Sequence, residues 1–101
     1  MNTESKGAAA QPPSSVVKVE VYSGEFCGYC TRARMLLEKK GVSFIEYNVD
    51  REPEKRAEMV KRSQRSSVPQ IFINDQHIGG FDDLSELDMD DELDPLLGIT
   101  S

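Results

Sequence analysis

The sequence has no apolar run approaching the roughly 20 residues that span a bilayer, and this argues against a membrane protein. No secretory leader is expected either. The opening "MNTESKGAAAQPPSS" lacks an apolar segment and is not arginine-rich, so neither export nor organelle import is expected. The expected compartment is therefore a reducing cytoplasm. Basic residues are scarce: 12 Lys and Arg stand against 18 Asp and Glu, for a net charge of −6. Nonspecific nucleic-acid binding, which rests on cations neutralising phosphates, is not expected. Histidine occurs once, at His77, and cysteine twice, at Cys27 and Cys30. A structural zinc site takes four ligands, so one copy of the chain cannot complete a cysteine-rich site, although two copies could. In a reducing compartment a close cysteine pair points to catalysis or metal binding before it points to a structural staple.

What is present fits one small domain. The chain has 101 residues, 38% hydrophobic and 30% charged, in the range of a globular protein with little stability to spare. Residues 1–15 are small, polar and proline-bearing and read as a disordered tail ahead of a domain over 16–101. "VVKVEVY" (Val16 to Tyr22) is β-branched and alternating, a strand whose Tyr22 closes into the core. A helix is expected from near Cys27 to near Lys40, with Gly41 just past it. Ser43 to Val49 reads as a second strand. Residues 50–65 read as a helix with Pro53 in its first turn. Gln70 to Asn74 is a third strand, Asp75 and Gln76 a turn, and "HIGG" a short fourth strand. "FDDLSELDMDDELDPLLG" holds one or two short helical pieces. No internal repeat is present. This order, with a Cys-x-x-C inside a βαβ unit, predicts an α/β thioredoxin-like fold. Its mixed four-stranded sheet would combine two parallel strands with an antiparallel hairpin, flanked by about three helices.

The cysteine spacing has chemical consequences. At i and i+3 on a first helical turn, Cys27 and Cys30 lie roughly 5–6 Å apart at Cα, which suits a disulfide. Ala33 and Leu37 continue the Cys30 stripe and turn it toward the core. Cys27 sits at the helix tip, the exposed position, where free backbone N–H groups and the positive end of the helix dipole favour a thiolate. Cys27 is then the nucleophile and Cys30 the resolving thiol. Arg32 and Arg34 add minor positive charge. A structural disulfide closing so short a loop would constrain the unfolded chain little.

These residues resemble the glutaredoxin family, in its bacterial glutaredoxin 3 type. The similarity runs from "VEVYSGEFCGYCTRARMLLEKKGVSFIEYNVD" through "SVPQIFINDQHIGGFDDLSELD" to "LDPLL", over about Val16 to Leu97. It implies a glutathione-dependent thiol–disulfide oxidoreductase acting on protein disulfides and glutathionylated proteins. The resemblance implies a cis Val68–Pro69 bond and a glutathione-binding set of Tyr29, Val68, Pro69, Phe81, Asp82 and Asp83. Each also has a plainer reading. Val68 and Pro69 could simply open a strand, Tyr29 could be a surface aromatic, and Asp82 could cap the helix with Asp83 and Glu86 favouring its dipole. Two departures stand out. Gly28 replaces the proline common between the cysteines, and Gly24 stands where many relatives carry lysine. Arg62 and Arg65 are the candidates for that lost positive charge; otherwise they are a solvated helix end. His77 reads as a hairpin residue without catalytic duty. Thioredoxin itself, usually Trp-Cys-Gly-Pro-Cys, is disfavoured because the chain contains no tryptophan. The alternative function is a 2Fe–2S cluster held between two protomers by Cys27 and glutathione, a form in which some relatives with Gly or Ser after the first cysteine occur. The chain is otherwise expected to be a monomer.

Overall fold

The computed structural model describes residues 17–99, so the expected tail over 1–15 lies outside the described residues. Valines at 19 and 21 give β1 (Val19–Ser23) its extended character, and every residue of this strand is buried. Burial follows from its place inside a four-stranded sheet of order β2-β1-β3-β4. β2 (Ile45–Asn48) runs parallel to β1, with Glu20 opposite Ile45 and Ser23 opposite Asn48. β3 (Gln70–Ile73) runs antiparallel on the other side, with Tyr22 opposite Gln70. β4 (Gln76–Gly79) completes the hairpin. This is the expected mixed sheet of a thioredoxin-like fold.

The helices are α1 (Gly28–Lys39), α2 (Pro53–Ser63), α3 (Phe81–Met89) and α4 (Leu93–Leu96). That makes four where about three were expected. The stretch after β4 divides at Asp91, whose left-handed φ of 60° cannot continue a helix. Gly41, at φ 76°, follows the C-cap of α1 as expected, whereas α2 stops earlier than expected, at a left-handed Gln64. The hairpin turn also moves by one residue. It is Asn74–Asp75, not Asp75–Gln76, with φ 50° and 69°. A tight hairpin turn of this kind needs two left-handed residues, and Asn-Asp tolerates that better than Asp-Gln.

The period of two divides β1 and β3 between two layers. Val19, Val21, Ile71 and Ile73 face α1 and α3, packing with Ala33, Leu37 and Leu84. Tyr22 and Phe72 face the other way, against Met59 of α2 and Val49. Glu20 shares that second face and is 6% exposed. A buried carboxylate needs partners, and Arg62 of α2 supplies them. Its Nη2 donates to Glu20 Oε1 at 3.1 Å and its Nη1 to the Tyr22 hydroxyl at 2.7 Å. The guanidinium lies 4.0 Å from the Phe72 ring centre. The Tyr47 hydroxyl donates to Glu20 at 2.9 Å, and that of Tyr22 donates to Glu58 at 2.5 Å. Arg62 is thus neither a solvated helix end nor a free cation. It closes the polar layer between α2 and the sheet.

Candidate active site

β1 ends at Ser23, and a short turn carries the chain to the start of α1. Phe26 in that turn is fully exposed and left-handed, with φ 53°. Cys27 is the N-cap of α1 in extended conformation, and its Sγ accepts the Cys30 N–H at 3.2 Å. The sulfur thus takes the place an oxygen fills in an ordinary cap, satisfying a backbone donor the helix cannot satisfy itself. Cys27 is half-buried, and Cys30 is 0% exposed above Ala33 and Leu37. The two form a disulfide with Cα atoms 5.2 Å apart. The same N–H that meets the sulfur here would stabilise a Cys27 thiolate after reduction.

Beside the disulfide lies a groove of about 270 Å³, and all six residues expected around glutathione line it: Tyr29, Val68, Pro69, Phe81, Asp82 and Asp83. Arg65, Ser67, Gln70 and Gly80 complete the lining. The register that sets Tyr22 against Gln70 brings the start of β3 to the end of β1, so the Val68 carbonyl oxygen lies 4.0 Å from Cys27 Sγ. The Val68–Pro69 bond is cis. The Tyr29 and Phe81 rings stack at 6.3 Å, and the Arg32 guanidinium stands 5.6 Å over Tyr29.

The far end of the groove is the N-terminus of α3. Its N-cap is Gly80, not Asp82, and Asp83 Oδ2 reaches back to the Gly80 N–H at 3.0 Å. Asp82 is exposed. Gly79 has φ 121°, and a Cβ there would collide with the Asp83 carboxylate. Of the two arginines weighed for positive charge, only Arg65 lines the groove, with Nη1 3.4 Å from Asp83 Oδ2. Arg34 turns away to pair with Glu46 at 2.7 Å. Near Gly24 stands a carboxylate. An added Cβ would come within 2.9 Å of Asp50 Oδ2. The Glu25 backbone N–H, and then Arg56, hold Asp50 below the usual carboxylate range.

Two of these lining residues, Ser67 and Gln70, were not expected from the sequence. A signal was present for Gln70: it alternates with Phe72 on a strand with no exposed face, so its amide had to find partners.

The chain is similar to known proteins. A family model described as Glutaredoxin matches residues 19–78. Glutaredoxin 3 of Escherichia coli (strain K12) is 57% identical over 82 residues, 81% of this chain and 99% of that protein. Among solved structures, the glutaredoxin of Brucella melitensis is 48% identical with a TM-score of 0.75, over 85% of this chain and 94% of that one. A buckwheat glutaredoxin–glutathione complex is 30% identical with a TM-score of 0.74, over 81% of each chain.

Proposed function

This chain belongs to the glutaredoxin family of thiol–disulfide oxidoreductases, and on that basis we propose that its reductant is glutathione, with Cys27 as nucleophile and Cys30 as resolving thiol. One observation carries the reading. The half-buried sulfur at the helix tip stands 4.0 Å from Val68, at the edge of a groove lined by every residue expected to hold glutathione.

In the monothiol route the Cys27 thiolate attacks the glutathione sulfur of a glutathionylated substrate. A Cys27–glutathione disulfide forms, and the substrate leaves as a thiolate that takes a proton from water. A second glutathione thiolate then attacks the bound glutathione sulfur. This releases glutathione disulfide and restores the Cys27 thiolate. In the dithiol route Cys27 attacks a protein disulfide, and Cys30 attacks Cys27 Sγ to release the second substrate thiol. The Cys27–Cys30 disulfide so formed is reduced by two glutathiones. Because Cys30 is buried, it reaches substrate only through Cys27.

In the groove, Val68 would offer backbone groups to the cysteinyl unit, and Tyr29 and Phe81 would flank the tripeptide. Asp82 and Asp83 would meet its ammonium group, and Arg65 a terminal carboxylate, each through a charge-assisted bond. Disulfide-containing and glutathionylated proteins are the substrates, and a reducing cytoplasm suits the chemistry. The test is turnover of a small glutathione mixed disulfide coupled to glutathione-disulfide reductase. Glutathione-dependent turnover is expected. Failure of glutathione to support turnover, while a small dithiol does, would overturn the reading.

A second reading, a 2Fe–2S cluster shared by two protomers, draws on Gly28. A Cβ there would meet nothing within 4 Å, so the helix tip has open space around it. Among the described residues no group of three or more His, Cys, Asp or Glu is arranged to hold a metal. Each protomer would thus contribute Cys27 alone, with glutathione thiols completing the four sulfur ligands. Reconstitution with iron, sulfide and glutathione should then give a coloured dimer that Cys27→Ser abolishes; a colourless monomer would remove this reading.

A further inference from the structure

Gln70 is a buried polar side chain that the reaction does not use. It is 1% exposed and directly follows Pro69. Its Nε2 donates to the Ser67 carbonyl oxygen at 3.0 Å and to Ser67 Oγ at 3.3 Å. Its Oε1 lies 2.7 Å from His77 Nε2. A carbonyl can only accept, so the amide nitrogen must face Ser67 and the amide oxygen must face His77. The proton of this hydrogen bond therefore sits on His77 Nε2. His77 reaches Gln70 diagonally across the hairpin. It is paired with Phe72, its ring 5.0 Å from the Phe72 ring, where the β3–β4 register shifts. Burial, and then Arg65, lower the His77 pKa and favour the neutral ring, against the opposing pull of Asp83.

The Ser67 carbonyl shares a planar peptide unit with the Val68 N–H, and in a trans unit the two point opposite ways. Holding one aims the other. We propose that His77 and Gln70 are positioning residues: through Ser67 they fix the peptide that presents the Val68 backbone to a glutathione disulfide at Cys27. This rests on the glutathione reading above. The pair touches neither sulfur, so its effect falls on binding and alignment of the glutathionyl group. The reactivity of Cys27 is left alone.

The test is His77→Phe, which keeps the ring against Phe72 and removes the N–H. With Gln70 Oε1 left without its donor, the amide is free to turn. The expected result is a rise of about fivefold in KM for a glutathionylated peptide, the scale of one net hydrogen bond, with kcat within about twofold. The pH profile of Cys27 alkylation by iodoacetamide should not move. Gln70→Met should match it, and the double variant should add nothing further. His77→Gln, which restores an N–H donor, should recover KM. If His77→Phe does not fold, Gln70→Met carries the same comparison. An unchanged KM in a folded variant, or an equal fall in kcat, would overturn the proposal. A separate reading comes from the free protein, where the Val68 amide resonance should shift in His77→Phe; an unmoved resonance also overturns it. A wild-type chain inactive with glutathione would sink the function proposed above and leave this resonance test standing.

Discussion

Replacing Arg62 by methionine separates two roles that the sequence left open. Arg62 gives Glu20 two N–H groups, at 3.1 and 3.3 Å, and donates to the Tyr22 hydroxyl at 2.7 Å. The Glu20 side chain is 8% exposed and that of Arg62 23%. In Arg62→Met the carboxylate would stay buried with the Tyr47 hydroxyl as its remaining side-chain donor. Breaking a fully buried pair costs about 3–5 kcal/mol, and an exposed pair is worth about 1 kcal/mol or less. With the arginine about a quarter open, a loss of about 2–3 kcal/mol is expected. Against a typical domain stability of about 5–15 kcal/mol, that leaves a folded but weakened protein. At about 4–8 °C per kcal/mol, Tm should fall by about 10–20 °C. Urea unfolding followed by circular dichroism measures the loss directly. Turnover measured well below Tm should show an unchanged KM for glutathionylated substrate, since Arg62 faces the sheet and not the groove. Arg65→Met should do the reverse, raising KM severalfold with little change in stability. A loss below about 0.5 kcal/mol in Arg62→Met would refute the account of the polar layer. A raised KM in Arg62→Met with none in Arg65→Met would refute the assignment of the groove's cation.

Cys27→Ser should remove all turnover while leaving the urea midpoint of the reduced protein nearly unchanged; substantial activity in the folded variant would overturn the nucleophile. Cys30→Ser should keep deglutathionylation and lose reduction of protein disulfides, so equal loss of both would rule out the monothiol route. The Asp82→Asn, Asp83→Asn double variant should raise KM for the glutathionylated substrate severalfold. Asp83→Asn alone should also lower stability by about 0.5–1 kcal/mol through the weakened bond to Gly80, and an unchanged KM in the double variant would leave Asp83 a cap only and Asp82 a surface carboxylate. Stability should also depend on pH near neutrality. His77 has a folded pKa below its ordinary 6.5, so the unfolded chain binds the extra proton first. The urea midpoint should hold above about pH 7, fall as pH drops below about 6.5, and lose that slope in His77→Gln; an identical slope in the variant would count against the burial of this ring.

The strand and helix order was legible because each element carries its own period and punctuation. "VEVY" alternates, Pro53 starts a helix and Gly41 ends one. The site residues were legible for a different reason: their motifs lie at three separated points, around Cys27, Val68 and Phe81, and the register of β1 against β3 helps gather them. What the sequence concealed was partnership. The string "KRSQR" carries no mark to distinguish Arg62 from Arg65, yet three residues round a helix end turn one into the sheet and the other into the groove. Asp82 and Asp83 present the same difficulty. Either could cap α3, and the cap bond falls to Asp83 because the helix begins two residues earlier than an Asp82 N-cap requires, with Gly80 at the N-cap. The hairpin turn slid to Asn74–Asp75 because left-handed backbone, and not hydrophilicity, is what a two-residue hairpin demands.

The same register explains why the site needs a polar layer beneath it. Tyr22 stands opposite Gln70, one residue before β1 ends and one residue after Pro69. A slip by one residue would exchange the faces of β3. Ile71 would then press on α2, Gln70 would enter the apolar layer against α1, and Val68 would move away from Cys27. An all-apolar face toward α2 would tolerate such a slip more readily, since one aliphatic side chain can replace another. Here the face carries Glu20, Tyr22, Gln70 and His77, whose hydrogen-bond partners exist in one register only. A shifted strand would strand the Gln70 amide among aliphatic side chains, at about 1–3 kcal/mol for each polar group left unsatisfied. On this argument the polar layer adds less to net stability than to uniqueness. It selects the alignment in which a loop between α2 and β3 meets the sulfur at the tip of α1.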